Sequence, residues 1–307
     1  MVSTETSLLL ACSNNLAAAV EQVASAVVAV NARQRIPSSG VHWHSGVVVT
    51  TDRALKREEE ITVTLCDNRT VPATVAGRDS STDLAVLKLP ETNFPTAGIG
   101  DSKSLKVGHI VLAVGRSGEN GISASMGVIN AVGGAWRSWY DGQIDQFIRP
   151  DLTFYPGFSG GPLVDATGCV VGINTSGLSR RSNITLPITT VNRVVSQLLE
   201  KERITRGYLG LGMQPVHLPD NLQQTLNLQT NTGVIIVNVK PDGPGDRAGV
   251  MIGDILIALD GTPMRDSAQV LAMLEPERIN QTLNAAMIRG GNLVQVAITV
   301  GDRSMKF

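Results

Sequence analysis

The stretch Pro156-Gly157-Phe158-Ser159-Gly160-Gly161-Pro162-Leu163-Val164 decides the fold more than any other part of the chain. A serine between glycines can expose its hydroxyl, because glycine tolerates the backbone angles of a sharp turn. The N–H groups of such a turn can face one point and form an oxyanion hole beside a nucleophile. By itself the motif could also be an ordinary β-turn, but an apolar strand at residues 169–174 follows it. The pattern predicts Ser159 as a nucleophile, with oxyanion donors on Gly157, Phe158 and Ser159.

Short β-type runs separated by turn signals surround this motif. They read VVVTT, ITVTL, VPATVAG, LAVLKL, HIVLAVG, GVINAVG and CVVGIN between residues 47 and 174. Helical spacing is confined to a few segments, among them residues 14–28 and 191–201. Strands at this spacing, with few helices between them, indicate a mostly β chain built on a barrel or sandwich.

Length and composition limit the classes of protein to consider. A chain of 307 residues is too long for one ordinary domain and suits about two. With 42% hydrophobic and 17% charged residues it can bury sizeable cores, which excludes a disordered chain. The net charge of -1, without a long basic run, argues against a nucleic-acid surface and against a polybasic membrane patch.

The nucleophile segment with the following VVGIN resembles that of trypsin-fold serine proteases of the HtrA/Deg family. The stretch GRDSSTDLAVLKL at residues 77–89 resembles the family segment that carries the triad aspartate, which falls on Asp83. Residues 105–115, 125–132 and 147–157 follow the same family order. The resemblance covers about residues 27–300 and implies a trypsin-like double β-barrel in residues 1–205, with Asp83 and Ser159 as catalytic residues.

Position 53, where the resemblance implies the catalytic histidine, carries an arginine. The corresponding segment reads Val48-Val49-Thr50-Thr51-Asp52-Arg53. Arg53 lies 30 residues before Asp83, which lies 76 residues before Ser159, and both separations suit the family. A guanidinium has no acceptor nitrogen and a pKa above about 12, so it cannot take the serine proton. We expect Arg53 to pair with Asp83 through its charge and the site to be catalytically impaired.

None of the four histidines is expected to replace the missing base. His42 and His44 belong to the strand hairpin that leads to Arg53, with His42 opposite Val48. At about 3.3 Å per strand residue they lie roughly 15–20 Å from the site. His109 begins another strand and His217 lies in the second domain, so we interpret all four as surface or packing residues.

Residues 206–307 resemble the PDZ domain of the same family, most clearly in VKPDGPGDRAGVMIGDILIALDGTPM at residues 239–264. The segment GYLGLGMQPV at residues 207–216 resembles the carboxylate-binding loop and its following strand. Such a loop offers N–H groups to a peptide C-terminus, and the strand edge accepts the peptide as an added strand. A helix near residues 267–274 would form the other wall, unless this domain only packs against the first. The peptide-binding candidates are Tyr208, Leu209, Gly210, Leu211, Val270 and Leu274.

The cysteines and the N-terminal segment indicate the compartment and the absence of cofactors. Cys12, Cys66 and Cys169 are odd in number and lack metal-type spacing, and the apolar run at residues 8–12 is short for a signal peptide. These features favour a cytoplasmic protein without a membrane span, metal or organic cofactor. The Arg180-Arg181 pair favours either a solvated loop tip or a charged substrate pocket.

Two functions stay open at this point. The first is a pseudoprotease that binds polypeptides and protein C-termini as a chaperone, adaptor or scaffold. The second is an active PDZ-regulated serine endopeptidase of protein quality control, with its geometry rescued or its histidine supplied by a neighbouring subunit. Whether it is an enzyme is therefore uncertain from sequence, as is whether Arg53 is natural or engineered. The resemblance also implies a homotrimer.

Overall fold

The computed structural model describes residues 4–33, 36–57, 59–90, 93–116, 121–138, 142–179, 183–201, 207–228 and 230–302. The chain divides into two compact units, Met1–Ile204 and Thr205–Phe307. Strands hold 43% of the residues and helices 20%, which confirms the prediction of a mostly β chain.

The first unit opens with helix α1, Thr4–Ala24, which is longer than the helix predicted at residues 14–28. It ends where the β-branched pair Val27-Val28 begins the first strand. The strands of the first sheet are β1 Val27–Asn31, β2 Ser38–His44, β3 Val47–Thr50, β4 Thr62–Thr64, β5 Thr70–Pro72, β6 Thr74–Asp79 and β7 Leu84–Lys88.

These seven strands form one antiparallel sheet in the order β5-β4-β1-β2-β3-β7-β6. Strands β2 and β3 make a hairpin in which His42 lies opposite Val48, as the sequence predicted. The run VPATVAG, predicted as a single strand, is divided between β5 and β6. One face of the sheet buries aliphatic side chains such as Val30, Val63 and Leu87, which form a core of their own.

The second half of this unit is a closed barrel in the order β12-β15-β14-β13-β8-β9. Its elements, with the small pair β10 and β11, are β8 Ile110–Arg116, β9 Ile122–Gly133, β10 Trp136–Arg137, β11 Gln143–Ile144, β12 Phe147–Asp151, β13 Pro162–Asp165, β14 Val170–Thr175 and β15 Ile184–Pro187. Helix α2, Ile188–Lys201, follows and packs Val191, Val194 and Leu198 into the core. That spacing is the helical repeat that predicted the helix.

The second unit is a smaller sheet with short helices. Its elements are β16 Gly207–Tyr208, β17 Leu211–His217, α3 Asp220–Thr225, β18 Thr232–Val239, α4 Pro244–Arg247, β19 Ile255–Leu259, β20 Thr262–Pro263, α5 Ser267–Ala272, β21 Thr282–Arg289, β22 Asn292–Thr299 and β23 Gly301–Asp302. The main sheet runs β17-β18-β19-β21-β22, and among the described strands β17 therefore has a neighbour on one side only. Pro215 lies within β17, where an edge strand tolerates a residue without an N–H group.

Candidate active site and peptide groove

The Ser159 turn joins β12 to β13 and needs its glycines. Gly157 and Gly160 have φ angles of +95° and +86°, which side-chain-bearing residues rarely adopt. A Cβ at Gly160 would lie 2.2 Å from the carbonyl oxygen of Ser39 on β2. The Ser39 N–H and hydroxyl both donate to the Gly157 carbonyl, at 2.9 and 2.7 Å. The first sheet therefore fixes the turn from behind.

Some backbone N–H groups of this turn donate hydrogen bonds to carbonyl groups of the chain, and others do not. The Phe158 N–H donates to the Tyr155 carbonyl at 3.0 Å, and the Gly160 N–H donates to the Asn174 carbonyl at 2.9 Å. Within the described part of the chain, the amides of Gly157 and Ser159 donate no hydrogen bond. Two of the three predicted oxyanion donors, Gly157 and Ser159, are thus available to a ligand. The Phe158 N–H is not, because it bonds to Tyr155, and the Phe158 ring is buried.

The hydroxyl of Ser159 has another hydroxyl as its partner. Its Oγ lies 3.0 Å from the Oγ of Ser176, directly after β14. A serine hydroxyl does not titrate near neutral pH, so Ser176 cannot serve as a general base. The partner that would activate a nucleophile is missing from this contact.

Asp83 lies directly before β7 and is 3% exposed. Its Oδ1 accepts the backbone N–H of Arg53 at 2.9 Å, and its Oδ2 accepts the Thr175 hydroxyl at 2.5 Å. Burial raises the pKa of this carboxyl above its usual range, although the hydrogen bonds from Thr175 and Arg53 oppose that shift. Thr175 adjoins Ser176, so the carboxylate and the Ser159 hydroxyl contact neighbouring residues at the end of β14.

Arg53 sits on a short 3-10 turn, Asp52–Ala54, between β3 and β4. The turn is anchored by Asp52, which accepts from Arg78 Nε at 2.5 Å and from the Ser80 hydroxyl at 2.6 Å. The Arg53 side chain is exposed, and no ion pair joins its guanidinium to Asp83 in the described residues. The expected pairing is met by the Arg53 main chain and by the charge of Arg53, which acts to lower the pKa of the Asp83 carboxyl, and it does not include a guanidinium–carboxylate ion pair. The carboxylate oxygens already accept a main-chain N–H and a hydroxyl, while the Arg53 side chain is exposed.

The described structure offers no histidine to Ser159. His42 is fully buried, stacks on Phe94, and contacts the Pro95 carbonyl through Nδ1 at 2.8 Å. Its Nε2 accepts the Gly46 N–H, so the ring is neutral, and burial lowers its pKa. His44, His109 and His217 are exposed. His42 is thus a packing residue, as the sequence suggested.

Three residues at the end of β14 and directly after it were not predicted as part of the site. Thr175 binds Asp83, Ser176 contacts Ser159, and a Cβ at Gly177 would lie 2.1 Å from the Asp83 Oδ2. The sequence feature that could have identified them is their position directly after VVGIN. The Arg180-Arg181 pair lies outside the described residues.

The second unit places a loop and a helix beside its edge strand. Gly210 has φ +75°, between β16 and β17, and its carbonyl accepts the Lys240 N–H at 2.8 Å. Helix α5 packs beside β17. Lys240 Nζ lies 5.6 Å from the centre of the Tyr208 ring, which adds positive charge at the loop.

The six peptide-binding candidates divide between this groove and the core. Leu209, Val270 and Leu274 are buried in the core of the unit, whereas Leu211 is half-buried against it. Leu211, Gly210 and Tyr208 are the members that the loop and the edge strand bring together.

Other sites receive no support from the described residues. No group of three or more His, Cys, Asp and Glu side chains there could hold a metal ion. No helix in the described segments has both the length and the apolarity to cross a membrane. The three cysteines are free thiols.

Comparisons with known proteins agree with this architecture. Residues 38–173 match the family described as trypsin-like peptidase domain, and residues 207–300 match the PDZ domain. A probable periplasmic serine endoprotease DegP-like of Pseudomonas savastanoi pv. phaseolicola is 32% identical over 273 residues, which are 87% of this chain and 56% of that protein. Its namesake in Chlamydia pneumoniae is 30% identical over 84% of this chain and 53% of its own length. The chain spans about half the length of the curated relatives it matches.

Solved structures extend the likeness to both units. The HtrA-type protease AlgW with a tripeptide has a TM-score of 0.73 and 30% identity, covering 95% of this chain and 98% of that one. The serine endoprotease from Yersinia pestis has a TM-score of 0.74 and 28% identity, with 94% and 97% covered.

The names of these relatives correct one expectation from sequence. The curated proteins are described as periplasmic, so the expected cytoplasmic location is wrong. The odd cysteine count and the short apolar run at residues 8–12 carried too little information to decide the compartment. The chain belongs to the HtrA/DegP family of trypsin-fold serine proteases with one PDZ domain.

Proposed function

We propose that this chain is a catalytically impaired member of its family, which binds polypeptides and does not cleave them efficiently. The observation that carries the proposal is the contact of the Ser159 hydroxyl with Ser176, beside an exposed arginine at position 53. In this reading Arg53 occupies the place of the catalytic histidine. The main-chain bond from Arg53 to Asp83 supports the placement, because it puts residue 53 next to the candidate triad aspartate.

The size of the expected defect follows from the chemistry of a serine nucleophile. The base must accept the serine proton and later return it to the leaving amine. Guanidinium stays protonated across the physiological range and offers no lone pair. Loss of the base in such a triad lowers kcat on the order of 10⁶-fold, and binding with oxyanion stabilisation accounts for what remains.

The remaining site residues keep roles in binding. Gly157 and Ser159 would donate their free amides to a peptide carbonyl, as oxyanion-hole donors do. In the second unit, the Gly210 loop and the free edge of β17 would hold a peptide C-terminus by strand addition. The AlgW structures with a tripeptide and a decapeptide show that a similar protein binds peptides, which supports this assignment. We place the protein in the periplasm with its relatives, where a chaperone, adaptor or scaffold role would act on unfolded chains.

A second candidate function is an active serine endopeptidase of protein quality control. The free amides of Gly157 and Ser159 favour it, because they are what an active site needs besides its base. Incubation with casein and with a fluorophosphonate probe separates the two, using Ser159→Ala as the matched control. We expect the parent chain and Ser159→Ala to behave alike, with neither cleavage nor labelling. Cleavage that disappears in Ser159→Ala would establish the endopeptidase.

The resemblance also predicts a homotrimer, which we keep as part of the proposal. The exposed side chains of Leu8, Leu9 and Leu10 on α1 offer apolar surface that association would cover. Light scattering after gel filtration should give three times the chain mass of 32.5 kDa. A mass of 32.5 kDa across the working concentration range would exclude the trimer.

A further inference from the structure

We propose that the Ser159 cleft is a carboxylate-binding site, with Arg53 as its charged group. The inference rests on the proposed function, since it assigns a ligand to the same cleft. The guanidinium would hold one carboxylate oxygen, and the free amides of Gly157 and Ser159 would hold the other.

The position of Arg53 brings its charge to the cleft. Its Cδ lies 3.1 Å from the point that a Cβ on Gly177 would occupy. Gly177 adjoins Ser176, whose Oγ lies 3.0 Å from that of Ser159. The Arg53 stem therefore lies over the wall that carries the hydroxyl pair.

The nearby acids have other hydrogen-bond partners, so only the charge of Arg53 acts on Asp83 and its guanidinium keeps its N–H groups for a ligand. Asp52 is paired with Arg78, and Asp83 is buried and bound by the Arg53 amide and Thr175. Within the described residues, Arg53 has no ion pair and its side chain donates no hydrogen bond. A second guanidinium, that of Arg33, lies close by and donates to the Arg53 carbonyl at 2.6 Å. Two guanidinium groups, those of Arg33 and Arg53, therefore lie near position 53.

This donor set fits a carboxylate better than a peptide carbonyl. A carboxylate has two oxygens and a full negative charge, and a guanidinium binds it with paired, charge-assisted hydrogen bonds. A neutral carbonyl uses the oxyanion amides but leaves the guanidinium without a partner. With arginine at position 53, the cleft is therefore expected to bind a carboxylate and not to cleave a peptide bond.

The carboxylate could belong to a peptide C-terminus or to an acidic side chain. Three ten-residue peptides distinguish these sources. The first has a free C-terminal carboxylate and no acidic residue. The second is its C-terminal amide, and the third is that amide with one central glutamate. Calorimetry on the full chain gives the affinity and the number of sites for each peptide.

Arg53→Gln is the test variant and Arg57→Gln its matched control. Arg57 is also exposed, and its guanidinium donates to the Asn31 carbonyl. We expect at least one of the two peptides that carry a carboxylate, the first or the third, to bind the parent about tenfold more tightly than the neutral amide. These two are called the acidic peptides below. Arg53→Gln should remove that advantage at one site, while Arg57→Gln should keep it. A contribution from the PDZ groove would be the same in all three proteins.

The inference is overturned if the ratio of acidic to neutral affinity is the same in the parent, Arg53→Gln and Arg57→Gln. An advantage for the first peptide assigns the site to C-termini, and one for the third assigns it to side chains. Incubation of the same peptides followed by mass spectrometry reports cleavage separately. Cleavage of the peptides would contradict the proposed inactivity, whereas equal affinity ratios would contradict carboxylate binding, so the two outcomes are distinguishable.

Discussion

The backbone N–H of Arg53 donates to the Asp83 Oδ1 at 2.9 Å, and the guanidinium of the same residue does not contact that carboxylate. Asp83 is thus held by the main chain of position 53 whatever side chain that position carries. The Thr175 hydroxyl holds its second oxygen. This arrangement is the one expected under the proposed function, in which position 53 lacks a histidine and the rest of the site is preserved.

Asp83 should make stability depend on pH in an unusual direction. Burial raises the pKa of its carboxyl above the ordinary 3.8, so the folded chain takes up this proton at a higher pH than the unfolded chain. The contribution of this group to stability therefore increases as the pH falls from 7 toward 3.8. Asp83→Asn lacks this contribution, so the parent should gain on the variant as the pH falls.

Urea unfolding of both proteins at several pH values measures that difference. Comparing the parent with Asp83→Asn cancels the carboxyls that they share, such as Asp254, whose pKa is lowered by Arg289. A difference in unfolding free energy that stays constant with pH would show that Asp83 titrates normally.

Gly177→Ala should destabilise the first unit through a single steric contact. The new Cβ would lie 2.1 Å from the Asp83 Oδ2 and 2.6 Å from its Cγ, so the carboxylate or the segment after β14 must move. We expect a loss of about 2 kcal/mol in unfolding free energy. Gly134→Ala is the control, because a Cβ there meets nothing within 4 Å. Equal unfolding midpoints in urea for the two variants would contradict this prediction and show that the Asp83 side chain can move away at little cost in free energy.

Gly210→Ala should weaken the binding of peptide C-termini to the second unit. Gly210 needs φ +75°, and its added Cβ would approach the Tyr208 hydroxyl at 3.3 Å. We expect about a tenfold loss of affinity for a C-terminal peptide, because the loop amides would be displaced. Gly261→Ala carries the same backbone strain at φ +76° in open space and should bind normally. Fluorescence anisotropy with a labelled peptide compares them, and an equal loss in both variants would place the groove elsewhere.

Periodic and glycine-marked features were predictable from sequence because their causes are local. The Ser159 turn depends on glycine backbone angles, and helix α2 shows its core residues at helical spacing. Strand β21 has a weak sequence signal, since its alternating Leu283, Ala285 and Met287 are separated by polar and small residues. It is recognisable from its hairpin with β22 across the whole of both strands.

The contacts of the candidate site were less predictable, because they join residues distant in sequence. Thr175 reaches Asp83 across 92 positions, and Ser39 supports Gly157 across 118. The Arg53 side chain illustrates the limit most clearly. Opposite charges predicted an interaction with Asp83, but only the three-dimensional structure shows that a main-chain N–H and a hydroxyl, and not the guanidinium, donate hydrogen bonds to that carboxylate.

The most direct measurement of the central claim is casein cleavage by the parent and by Arg53→His, each with and without Ser159→Ala. We predict no cleavage by the parent and measurable cleavage by Arg53→His that Ser159→Ala abolishes. The Asp83 carboxylate and the free amides of Gly157 and Ser159 are already in place for an imidazole. Ser159-dependent cleavage by the parent chain, at a rate similar to that of Arg53→His, would contradict the claim that Arg53 disables the site.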